Sequence, residues 1–106
     1  MMSKNPEIKK RAIKKALSSS CRYNISALGF NRRGELIGSC TNTPRFVKLG
    51  GGNHAEMLLM KQSSLALHTI VLCRVNSNGD LLPIEPCQAC QRKADELNIK
   101  IVTLEE

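Results

Sequence analysis

At 106 residues the chain is long enough for one domain, residues 1–106, and too short for two. Aromatics make up only 3% of it, so the core must be built from Ile, Leu, Val, Met and Ala, and no apolar run approaches the ~20 residues of a membrane span. The net charge of +7 is lopsided: eleven Lys/Arg fall within residues 1–48 against Glu7 and Glu35, which suits an anionic partner without naming one.

The start, Met1-Met2-Ser3-Lys4-Asn5-Pro6, has no apolar h-region, so a cytoplasmic location is expected. Five cysteines, two of them at metal spacing, argue against a disulfide framework. Cys21, Cys40 and Cys73 sit in strand-like segments and are expected as small buried residues. So short a core gains from a bound ion or a subunit interface, and a homo-oligomer, dimer or tetramer, is expected.

Residues 5–18 have the pattern of an amphipathic helix. Asn5 can cap it, Pro6 suits its first turn and Glu7 complements its dipole. Ile8, Ala12, Ala16 and Leu17 share one face with Ile13 at its margin, and five basic residues fill the remainder. The basic face is expected to be solvated. Residues 22–30 and 35–40 form two strands around the turn Asn31-Arg32-Arg33-Gly34, where Gly34 can take positive φ. Residues 41–52, with Pro44 and three consecutive glycines, are expected as a loop.

A buried helix should begin at Asn53 and run to about Ser63, since Ala55, Met57, Leu58, Leu59 and Met60 wrap most of its circumference. His68 to Val75 is a third strand, Asn78-Gly79 a turn, and Leu81-Leu82-Pro83-Ile84 a lead into the next helix. That helix covers residues 87–97 and ends at Asn98. Residues 99–104 make a fourth strand, joined to the third by a crossover long enough to be parallel and right-handed.

Two motifs carry chemistry: His54-Ala55-Glu56, and Pro86-Cys87-Gln88-Ala89-Cys90 some thirty residues later. Cys87 and Cys90, at i and i+3, project from one face of a helix. In its first turn the dipole favours thiolate over thiol. With His54 they supply three ligands and leave the fourth position of a zinc site open, as catalytic zinc requires. Glu56, two residues from the histidine, is placed to move protons for a water activated there. Each half has a plainer meaning. Asn53-x-x-Glu56 matches a capping box, and Cys87-x-x-Cys90 alone suits a redox pair or half of a structural zinc site, with His68, Cys40 or Cys73 to close it.

Together the motifs match the H-x-E…P-C-x-x-C signature of zinc-dependent nucleobase deaminases, and the chain resembles the cytidine deaminase-like superfamily over most of its length. The resemblance implies an α/β/α sandwich with a mixed sheet of four recognisable strands and three helices. It implies a Zn2+ cofactor held by His54, Cys87 and Cys90, with Glu56 as the proton shuttle. Asn42 sits where family members often place an asparagine that contacts substrate, and Ala55 is expected at the same pocket. Arg45 and Lys48, in the glycine-rich loop, are candidates to meet a substrate phosphate. The expected substrate is a small cytosine nucleoside or nucleotide. Cytosine or adenine in single-stranded nucleic acid is the alternative, although Tyr23, Phe30 and Phe46 are the only aromatics available to stack a base. A non-catalytic zinc-stabilised binding module is a third reading, which Glu56 disfavours.

Overall fold

Helix α1 spans Pro6–Leu17 in a computed structural model that describes residues 6–18, 24–44, 52–53, 55, 59–60, 66–86 and 88–104. Pro6 opens the helix where its missing N–H is not needed, Glu7 lies in the first turn, and Lys14 and Lys15 lie in the last. Ala12 and Ala16, one turn apart, are completely buried. Their small side chains let the helix lie close on the sheet, and Ser26 Oγ donates to the Ala12 carbonyl at 2.7 Å. Among the described residues no helix is long and apolar enough to cross a membrane.

Strand β1 (Asn24–Phe30) pairs antiparallel with β2 (Leu36–Thr41) on one side and with β5 (Thr69–Val75) on the other. The outer edge of β5 is shared. The parallel strand β7 (Lys100–Thr103) runs along Thr69 to Leu72, and the antiparallel strand β6 (Leu81–Leu82) covers Arg74 and Val75. Between β2 and β5, two-residue strands β3 (Thr43–Pro44) and β4 (Gly52–Asn53) form a separate ladder.

Alternation along the strands divides the core between two sheet faces. Leu28, Phe30, Val71, Cys73 and Val75 pack with Ala12 and Ala16 of α1. Ala27, Ile70 and Leu72 face the other way and pack with Ala55, Leu59, Met60 and Ala94. The protein is therefore layered helix, sheet, helix, as expected.

Helix α2 covers Gln88–Glu96. It stops because Asn98 takes the left-handed conformation, φ 56°. Asn98 N–H donates to Asp95 O at 3.3 Å and Ile99 N–H to Ala94 O at 2.8 Å, which uses carbonyls the helix leaves open. Ile99 and Ala94 join the same apolar cluster, so the cap also aims the chain into β7.

Both hairpin turns use one device. Asn31 Oδ1 accepts the N–H groups of Arg33 and Glu35 at 3.0 and 2.9 Å. Asn76 Oδ1 does the same for Asn78 and Asp80, both at 3.0 Å. Each Asn also donates from Nδ2 to the acid four residues on, Glu35 or Asp80. Gly34 and Gly79, at φ 82° and 86°, complete the two loops.

Three expectations need correction. Among the described residues the main sheet has five strands instead of four, because Leu81-Leu82 pairs with β5 once the Asn76–Asp80 turn folds the chain back. Residues 41–52 are not loop throughout, since Thr43 and Pro44 pair with Asn53 and Gly52. Asn53, expected at the helix start, belongs to that ladder. Two helices are described in full, α1 and α2. Of the third expected helix, Ala55, Leu59 and Met60 are helical and the rest lies outside the described residues.

Candidate active site

Cys90 is the third residue of α2 and only 1% exposed. It and Ala94, four positions on, are the buried residues of that helix, so α2 turns this side toward the sheet. Ala94 shares its cluster with Ala55, Leu59 and Met60. Cys90 and Ala55 thus belong to the same side of the sheet, each on helical backbone. Ile84, on the segment leading into the cysteine motif, packs against that cluster as well.

His54, Glu56, Cys87, Arg45 and Lys48 lie outside the described residues. Of the expected metal ligands Cys90 is therefore the one described, and among the described residues no three His, Cys, Asp or Glu side chains gather into a metal cage. Its chemistry fits a zinc site. A sulfur donor, nearly removed from water and in the first turn of a helix, suits a borderline-soft cation.

The other cysteines have different settings. Cys73 is completely buried on the α1 side of the sheet, opposite the side of Ala55 and Ala94, so it is no partner for Cys90 in a common site. Burial pushes its thiol up to about 11, against a smaller opposing effect of its hydrogen bond with Ser26. Cys40, 7% exposed, is also raised by burial, partly offset by the charge of Lys15. Both match the expectation of small buried residues. Cys21 lies outside the described residues. His68 is exposed at the entry to β5, with Nδ1 2.9 Å from Thr69 Oγ1.

Asn42 follows the last residue of β2 and is largely buried. Its backbone N–H donates to Ile25 O at 3.3 Å, and its Oδ1 accepts the Ile25 N–H at 3.2 Å. The side chain thereby stands in for a backbone carbonyl where the β1–β2 ladder ends. Sequence reading did not anticipate this bond. The only available signal was an Asn directly after an alternating strand, a position where its short amide can satisfy nearby backbone.

No family model matches the chain, and no curated protein matches it. Solved structures do. Cytidine deaminase from Mycobacterium leprae superposes with a TM-score of 0.62 at 23% identity, covering 90% of this chain and 83% of that one. This chain has a cytidine deaminase-like fold. Cytidine deaminase from Mycobacterium tuberculosis gives a TM-score of 0.63 at 18% identity, over 92% of this chain and 80% of its own. The dCMP deaminase of cyanophage S-TIM5 gives 0.52 at 21%, over 93% and 83%. At such identities the likeness is one of fold. Within a cytidine deaminase-like fold, the α2 side of the sheet holds Ala55 of the first motif and Cys90 of the second.

Proposed function

We propose that the chain is a zinc-dependent hydrolytic deaminase of a cytosine nucleoside or nucleotide. The observation that carries this reading is the setting of Cys90. Its buried thiol, in the first turn of α2, belongs to the same side of the sheet as Ala55, whose chain neighbours are His54 and Glu56. His54, Cys87 and Cys90 would hold the ion. When bound, zinc supplies a water acidic enough to react near neutral pH.

The chain's own groups do the proton work. Glu56 takes one proton from the attacking water and delivers it to the ring nitrogen, then takes the second from the hydroxyl newly added at C4 and delivers it to the departing amine. A C–O bond forms at C4 of the ring, the C–N bond there breaks, and ammonia leaves with a carbonyl in place of the amine. Asn42 has its Oδ1 committed to Ile25. Its backbone is thereby fixed at the end of β2, which suits a residue that positions substrate. Arg45 would meet the phosphate of a nucleotide. Ala55, small and completely buried, would let the ring approach the helix carrying Glu56. A cytosolic homo-oligomer is proposed because a 106-residue chain with three aromatic residues has a thin core.

The test is to incubate the zinc-loaded protein with cytosine and adenine nucleosides, nucleotides and oligonucleotides, then weigh the products. A mass gain of about one unit on a cytosine nucleoside or nucleotide is expected. Glu56→Gln should keep its zinc and lose ~100-fold or more in turnover. A wild type that holds zinc and converts nothing would overturn the enzyme reading in favour of a binding module. Conversion of oligonucleotides alone would overturn the substrate.

A further inference from the structure

Helix α1 carries its charge on one side. Ala12 and Ala16 face the sheet, while Lys10, Arg11 and Lys14 are exposed on the opposite arc of the helix. An open depression lined by Glu7, Ile8, Arg11, Phe30, Gly34 and Leu36 joins the helix to the β1–β2 turn. That turn carries Arg32 and Arg33, both exposed. Five exposed cations, Lys10, Arg11, Lys14, Arg32 and Arg33, therefore lie on the two elements that the depression joins, Lys9 being a further exposed cation of α1, with Glu7 and Glu35 the acids beside them. On the opposite sheet face, α2 sets Arg92 and Lys93 against Asp95 and Glu96. The exposed cations of α1 and of the β1–β2 turn thus have no counterpart excess on α2.

We propose that the surface of α1 and this turn docks double-stranded nucleic acid through its phosphate backbone. Charge alone would also suit an anionic membrane. The apolar stripe of α1, however, is mostly spent on the core, where Ile8, Ala12, Ile13 and Ala16 pack with Leu28, Phe30 and Val71; Leu17, 44% exposed at the end of the helix, is one side chain and not the apolar face that a bilayer needs. Single strands are bound by aromatic platforms, and Phe30, the one described aromatic, is 4% exposed. Protein partners seat their anchors in fitted, desolvated pockets, whereas the arginines here border an open depression. What it can do is neutralise phosphates, a sequence-independent and salt-steep mode of binding. The surface lies on the sheet face away from Ala55 and Cys90, so duplex held there is not the reacting base. This docking does not depend on the deaminase proposal.

The experiment is fluorescence anisotropy of the zinc-loaded protein with a labelled 20-base-pair duplex DNA between 50 and 200 mM salt. If all five cations meet phosphates, the slope of log affinity against log salt should be about −4.5. Lys10→Gln/Arg11→Gln/Lys14→Gln should make it shallower by roughly two to three, and Arg32→Gln/Arg33→Gln by roughly one to two. Thermal melts confirm that each variant is folded, and the two variants stand as independent checks. Absence of binding at 50 mM salt, an unchanged slope in both variants, or tighter binding to phosphatidylserine vesicles than to the duplex would each overturn the proposal. Turnover is not read at any point, so the outcome is separate from that of the deaminase test.

Discussion

Asn42 is bound twice to Ile25: its N–H meets the Ile25 carbonyl at 3.3 Å, and its side-chain Oδ1 meets the Ile25 N–H at 3.2 Å. The pair closes the β1–β2 ladder and holds the chain where β2 passes into β3. Asn42→Ala leaves a partly buried N–H without its acceptor, at a cost of ~1–3 kcal/mol. Urea melts should show that loss. Asn42→Asp keeps an acceptor oxygen and should recover most of it; equal destabilisation by both substitutions would refute the account.

The two Asn-headed turns lie at opposite ends of the β1–β5 pair, because Phe30 aligns with Thr69 and Asn24 with Val75. Asn31→Ala and Asn76→Ala should each cost ~0.5–1.5 kcal/mol, since the N–H groups they release are open to water. Sites this far apart should add to within ~0.5 kcal/mol. A double variant whose denaturation midpoint departs clearly from that sum would show that the turns are coupled.

Gly29 is closely covered. A Cβ there would lie 2.5 Å from Leu67 Cδ2 and 3.0 Å from Leu59 Cδ2. Both leucines are buried, and Leu59 is one helical turn from Ala55. Gly29→Ala should therefore lower stability by ~1–3 kcal/mol through overpacking. Adding Leu67→Ala should cost less than the sum of the two single changes. Strict additivity in thermal melts would remove overpacking as the cause.

Cys73 gives the fold an alkaline limit. Its folded-state value is about 11 against an ordinary 9.0. The folded state therefore keeps a proton that the unfolded chain gives up, and stability falls as pH rises from about 9 towards 11. Below pH 9 the contribution is fully present. Cys73→Ala should flatten that part of the stability-versus-pH curve. The native thiol should also react with iodoacetamide at pH 8 far more slowly than in urea; equal rates would contradict its burial.

The long elements were legible because each repeats its pattern. Alternation marks β1, a run rich in β-branched residues marks β5, helical spacing of Ala12 and Ala16 marks α1, and the ends at Gly34, Gly79 and Asn98 follow from which residues tolerate positive φ. Strands β3, β4 and β6 are two residues long and have no period to detect. Their pairing follows from tertiary contacts and turns. For the same reason the pairing of Asn53 with Thr43 was not visible in the sequence. The candidate site was read as a pair of motifs, of which Ala55 and Cys90 are described on one side of the sheet. The bond from Ile25 to Asn42 was not legible, since it depends on register across seventeen residues of sequence.

The central position of β5 also constrains how the chain emerges during synthesis. Helix α1 and the β1–β2 hairpin leave the ribosome first, yet Leu28 and Phe30 complete their packing against Val71, Cys73 and Val75. Until residue 75 is exposed, the amino-terminal half holds an amphipathic helix and a hairpin with an unfinished interior. Folding of this half is thus delayed until Val75 has left the ribosome, and a nascent chain whose exposed part stops before Thr69 should be protease-sensitive where one exposed past Val75 begins to resist.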